Sequence, residues 1–154
     1  YTADALDAVV TDLLTQYAPW AKRAAEWQRI SRASLAALQF PFPGYRPGQR
    51  AMIGAVHKIC TEGGQLLCQA PTGIGKTMSV LFPALKSMGQ GGPVFYLTAR
   101  GTTRAAAENA LALLRASDAD LKLRSVTLTA KDKNLYAGSA RVYARGMPLC
   151  QRLL

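Results

Sequence analysis

The chain has 154 residues, 49% hydrophobic and 18% charged, a balance that suits one globular domain with a core and excludes a disordered polyelectrolyte. Nineteen Lys and Arg stand against nine Asp and Glu, a net charge of +10, and the expected partner of such a chain is a polyanion, most simply nucleic acid. There is no apolar run long enough to cross a bilayer, the acidic start (Asp4, Asp7, Asp12) lacks the basic n-region of a secretory signal, and three cysteines make no disulfide framework, so the expectation is a cytoplasmic protein with no membrane partner.

Thr2 can cap a first helix from Ala3 to about Tyr17, where Ala5, Leu6, Val9, Val10, Leu13, Leu14 and Tyr17 recur at three- and four-residue spacing. Pro19 fits the first turn of a second helix, Trp20 to Leu38, with Trp20, Ala24, Trp27, Ile30 and Ser34 inward. Both tryptophans are expected in a core rather than as base-stacking platforms. Residues 1–39 thus read as a two-helix N-terminal segment or the end of an upstream domain. Phe40-Pro41-Phe42-Pro43-Gly44 stops the helix and marks a boundary.

Tyr45-Arg46-Pro47-Gly48-Gln49-Arg50 leads into a helix to about Thr61, with Met52, Ile53, Val56 and Cys60 on its buried side and Gly63-Gly64 at its end. An aromatic ring, an Arg and a Gln ahead of a phosphate loop suggest an adenine pocket: Tyr45 can stack on the base, and the Gln49 amide offers a donor and an acceptor to its edge. An ordinary helix N-terminus, with Pro47 in its first turn, is the competing reading. His57 stands alone on the helix and is not expected to be catalytic.

The next stretch organises the chain. An apolar run, Leu66-Leu67-Cys68-Gln69, enters Ala70-Pro71-Thr72-Gly73-Ile74-Gly75-Lys76-Thr77, and a helix-forming run from Met78 to Lys86 follows. Strand, Gly-rich turn, Lys-Thr and helix together are the context of a phosphate-binding loop. Main-chain N–H groups of such a loop point at phosphate oxygens, and the helix adds the positive end of its dipole. Lys76 would reach the β- and γ-phosphates of ATP, and the Thr77 hydroxyl would ligate Mg²⁺. Cys68, in the strand, and Cys60, on the helix, are expected as small buried hydrophobes.

Val94-Phe95-Tyr96-Leu97 reads as a buried strand ending in Thr98-Ala99-Arg100-Gly101-Thr102-Thr103, followed by a helix from about Thr103 to Arg115 with Ala107, Leu111 and Leu114 inward. Leu121 to Leu128 reads as another strand, ending in Thr129-Ala130-Lys131-Asp132-Lys133. The fold class expected is therefore α/β, a P-loop parallel sheet built by right-handed crossovers with helices on both faces. Ligands gather at the carboxyl ends of such strands. The hydroxyls and basic groups of the second and third loops suit a nucleic-acid backbone, although polar loops at strand ends are common without one.

These stretches together resemble the DinG/XPD-like branch of the second helicase superfamily, and motif I of that superfamily carries Ala where the generic phosphate loop has Gly, as Ala70 does here. The resemblance covers about residues 40–133 and implies a RecA-like motor lobe, ATP as substrate with Mg²⁺, and 5′ to 3′ movement on single-stranded DNA. By motif, it assigns Tyr45, Arg46, Gln49 and Ala70 to Thr77 to ATP, and Thr98, Ala99, Arg100, Thr102, Thr129 and Lys131 to DNA. Members usually hold a [4Fe–4S] cluster on four cysteines after this point. Residues 134–154, read as the start of that insertion, offer Cys150 alone, so the cluster is either lost or incomplete here. A degenerate cluster region is similar to the DinG-like helicase of type IV CRISPR systems, which would make an RNA-guided effector complex a partner. No Asp-Glu-x-His box occurs in the 154 residues, so this portion by itself is expected to bind nucleotide weakly without turnover. Two other classes stay open: a P-loop nucleotide kinase, and a binding or scaffold module that kept the fold and lost catalysis.

Overall fold

The computed structural model describes residues 2–89, 92–99 and 101–128, and the backbone of 144–145. The chain divides into two units, Tyr1–Lys122 and Leu123–Leu154. The first opens with α1, one 35-residue helix from Ala3 to Ala37. Thr2 caps it as expected, its Oγ1 accepting the Ala5 N–H at 3.3 Å.

The expected break at Pro19 does not occur: the proline lies inside α1. Proline deletes one main-chain donor and crowds the preceding turn, at about 3 kcal/mol relative to alanine. Here the neighbours Ala18, Trp20 and Ala21 contain no glycine or turn chemistry to exploit that weakness. The turn is exposed, so water can serve the Thr15 carbonyl that loses its donor. Every described residue from Thr2 to Trp20 is exposed, whereas from Ala24 onward one stripe is covered, ending in Leu35 at 2% and Leu38 at 0% exposure. Trp20 is therefore not a core residue; only Trp27 is half-buried.

Among the described residues three further helices follow: α2 (Gln49–Glu62), α3 (Lys76–Ser87) and α4 (Gly101–Ser117). The core of this unit is centred on α3, which buries Met78, Leu81, Phe82, Ala84 and Leu85 and packs against α1, α2 and α4. Polar clasps tie α1 to the rest. Lys86 Nζ donates to the Leu38 carbonyl at 3.0 Å, Ser31 Oγ donates to the Lys122 carbonyl at 2.7 Å, and the Lys122 N–H donates to Ser34 Oγ at 2.8 Å. In α4, Ala107 and Leu114 face inward as expected, joined by Ala110.

The expected parallel sheet is not formed among the described residues. The runs Leu66–Ala70 and Val94–Leu97 carry no ladder, and Leu67, Phe95 and Leu97 are 100%, 80% and 89% exposed. In the second unit, the expected strand from Leu121 to Leu128 shrinks to β1 (Ser125–Val126), paired antiparallel with β2 (Ala144–Arg145) in the register Ser125↔Arg145. Apolar runs show strand preference, but a strand exists only through a neighbour's hydrogen bonds, which local pattern does not encode. The two cysteines also differ from expectation: Cys60 and Cys68 are exposed. Ile59, not Cys60, takes the inward position on α2, and Cys68 lies in an extended run without a covering partner.

Candidate functional site

The turn from Ala70 to Gly75 joins the extended run to α3. Gly73 and Gly75 have φ of 88° and 82°, a left-handed backbone that glycine alone adopts without cost. Gly75 is also the N-cap of α3. Its carbonyl accepts both the Ser79 N–H and the Ser79 hydroxyl, each at 3.0 Å, which fastens the turn to the helix. Lys76, the first helical residue, folds back over the turn: its Nζ donates to the carbonyls of Ala70 and Pro71, each at 2.8 Å. Thr77 is half-buried in the first turn of α3, and Pro71, Thr72 and Gly73 are exposed. The first N–H groups of a helix have no partner within it, so this turn presents main-chain donors, a dipole end and an ammonium to one place.

A second turn locks onto the first. Between Arg46 and Gln49 the bonds are reciprocal: the Gln49 N–H donates to the Arg46 carbonyl at 3.0 Å, and the Arg46 N–H donates to Gln49 Oε1 at 3.0 Å. Gln49 is 3% exposed, and its amide lies so close to Gly75 that a Cβ there would meet Nε2 at 2.8 Å. One step back, Ile74 Cδ1 fills the space beside Gly48. The Arg46 guanidinium donates through Nη1 to the Gly73 carbonyl. Arg46, Gly48 and Gln49 thus each hold one residue of the stretch Gly73-Ile74-Gly75. The motif pattern assigns Arg46 and Gln49 to ATP; in the structure both lie against the loop, with Gln49 Oε1 accepting the Arg46 N–H. Such a contact spans 27 positions for Arg46 and Gly73, and no local signal could have announced it.

Tyr45 lines an open cleft of about 480 Å³ together with Phe40, Phe42, Ile53, Phe82 and Lys86 among others. One side of its ring stacks on Phe40, at 4.5 Å and 26°, and Phe40 meets Phe82 edge-on at 5.3 Å. Tyr45 keeps 47% of its surface exposed and immediately precedes the turn from Arg46 to Gln49. His57 Nδ1 lies 3.0 Å from Ser87 Oγ, which donates to the Pro83 carbonyl at 2.8 Å, so the pair joins α2 to α3 in the manner of packing.

The residues expected to touch nucleic acid are only partly described. Thr98 is half-buried, Ala99 is exposed, and Thr102 lies exposed in the first turn of α4. Arg100, Thr129, Lys131 and Cys150 lie outside the described residues. Among the described residues no group of three or more His, Cys, Asp or Glu could hold a metal, and no helix is long and apolar enough to cross a membrane.

A family profile described as DEAD/DEAH box helicase matches residues 46–140, more than half of the chain. A probable ATP-dependent helicase of Methanocaldococcus jannaschii is 38% identical over 47 residues, which are 30% of this chain and 7% of that protein. The chain thus matches a small fraction of that relative's length. No solved structure matches.

Proposed function

From a chain that belongs to the DEAD/DEAH box helicase family, we infer the ATP-binding portion of a DNA helicase that couples ATP hydrolysis to 5′ to 3′ movement on single-stranded DNA. The observation that carries this reading is the clamped loop: Lys76 at the N-terminus of α3, two left-handed glycines, and Arg46 and Gln49 bracing them from the turn before α2. In this reading the loop N–H groups of Ala70 to Thr77 receive the phosphates, and Lys76 leaves the Ala70 and Pro71 carbonyls to pair with the β- and γ-oxygens. Tyr45 stacks on adenine, and Arg46 and Gln49 set the loop.

Thr77, half-buried in the first turn of α3 next to the loop, would hold Mg²⁺ through its hydroxyl, and the ion would neutralise phosphate charge there. Near the expected place of a four-cysteine cluster the 154 residues offer Cys150 alone, and one thiolate does not hold such a cluster by itself; it is either lost or completed by other residues. The finer assignment, a DinG/XPD-like motor lobe over residues 40–133, rests on the motif stretches around Gln49, Lys76, Arg100 and Lys131. On the same basis Thr98, Ala99, Arg100, Thr102, Thr129 and Lys131 follow the strand, residues 134–154 begin the cluster region, and an RNA-guided effector complex is a partner in the cytoplasm.

The test is ATPase activity of the full-length protein with and without single-stranded DNA. Stimulation by the strand, lost by about 100-fold or more in Lys76→Ala, supports the reading. Strand binding with no ATPase, unchanged by Lys76→Ala, rejects the motor in favour of a scaffold; phosphorylation of a small acceptor rejects it in favour of a kinase.

A further inference from the structure

We propose that Lys86 is a positioning residue for the nucleotide base: it anchors the segment whose rings hold Tyr45 in place, and acts on affinity through Tyr45. This role rests on the reading above, in which ATP lies on the loop with its base on Tyr45.

The contacts begin at the end of α1. The last carbonyls of a helix have no partners within it and carry the negative end of its dipole. The last turn of α1 contains no basic residue of its own. Lys86, from α3, supplies one: its Nζ donates to the carbonyl of Leu38, the C-cap of α1, at 3.0 Å. The Leu38 side chain is 0% exposed, and its N–H donates to the Leu35 carbonyl at 3.2 Å, so the backbone is pinned here. The segment from Gln39 to Tyr45 departs from this point, and Pro41 and Pro43 stiffen it.

Three rings then form a line. Phe82, 6% exposed, meets Phe40 edge-on at 5.3 Å, and Phe40 stacks on Tyr45 at 4.5 Å and 26°. Lys86 reaches the root of this line too, since its Nζ lies 6.0 Å from the centre of the Phe82 ring, one turn away on the same helix. One ammonium therefore fixes both the backbone from which Phe40 departs and the ring against which Phe40 rests. Tyr45, half-exposed, would lose rotamer freedom when a base stacks on it, and a ring already held by Phe40 has less to lose. Phosphate lies out of reach: Lys86 is about 15 Å along α3 from Lys76.

Steady-state ATPase of the full-length protein with single-stranded DNA tests this role. Tripolyphosphate, which carries the phosphates and no base, serves as a competitive inhibitor. Lys86→Met keeps the aliphatic stem over Phe82 and removes the ammonium. It is expected to raise KM for ATP about three- to tenfold, with kcat and the inhibition constant of tripolyphosphate unchanged. The unchanged kcat shows that the variant is folded. Lys86→Arg, which keeps a donor for Leu38, recovers the parent KM. Phe40→Leu, which removes the stacked ring and keeps an apolar filler, gives the same shift as Lys86→Met. In a Tyr45→Ala background neither substitution raises KM further, because the residue they act through is gone. A KM unmoved by both substitutions, a shift that multiplies with that of Tyr45→Ala, or tripolyphosphate weakened as much as ATP overturns the role of Lys86 and leaves the ATP reading standing. A parent protein without ATPase, or one indifferent to Lys76→Ala, removes the ATP reading and the role of Lys86 with it.

Discussion

Gly75 satisfies two demands at once, a positive φ and a vacant Cβ position facing the Gln49 amide. Gly75→Ala therefore meets left-handed strain, about 1–2 kcal/mol, and a collision that is relieved only if Gln49 turns away from Arg46. The expected outcome is a fall in thermal midpoint together with weakened nucleotide binding, read by calorimetry and by titration with a fluorescent ATP analogue; a midpoint equal to the parent's would refute the geometry. Gly73 provides the contrast, since its φ is also positive but no atom stands within 4 Å of the place a methyl would take, so Gly73→Ala carries strain alone. At this scale the sequence was most readable. Two glycines, a lysine and a threonine in fixed order announce their backbone and their chemistry. What stayed hidden was the packing of Gln49, because nothing in the local pattern says that its amide lies buried against the loop at Gly75.

Among the elements, helices were legible and strands were not, for one physical reason. A helix satisfies its own main chain within four residues, so α2, α3 and α4 show in the spacing of Val56, Leu81 and Leu114. The run Val94 to Leu97 has the composition of a strand, yet its hydrogen bonds depend on a distant partner. Pro19 misled in the opposite direction: it marks a weak point in α1 rather than an end. Replacing it restores a main-chain donor in an exposed helix interior, worth about 3 kcal/mol of local helix stability. Pro19→Ala is thus expected to slow amide hydrogen exchange across residues 15–22 while leaving the core around Leu85 unchanged. Equal exchange in both proteins would show that the proline costs the helix nothing.

For the molecule as a whole, the charge of +10 is the property most visible before any fold is known. It predicts a single-strand binding constant whose logarithm falls linearly with the logarithm of salt, with a slope of about 0.7 for each phosphate neutralised. Arg100→Ala should lower that slope by about one contact; an unchanged slope would remove Arg100 from the proposed path. A different consequence follows from Leu67, Phe95 and Leu97, which the folded chain leaves in water. Denaturant sensitivity and the heat-capacity step both scale with the surface that unfolding newly uncovers. Side chains already hydrated add nothing to either, so the urea transition of this chain should be broad and its heat-capacity increment small for its length.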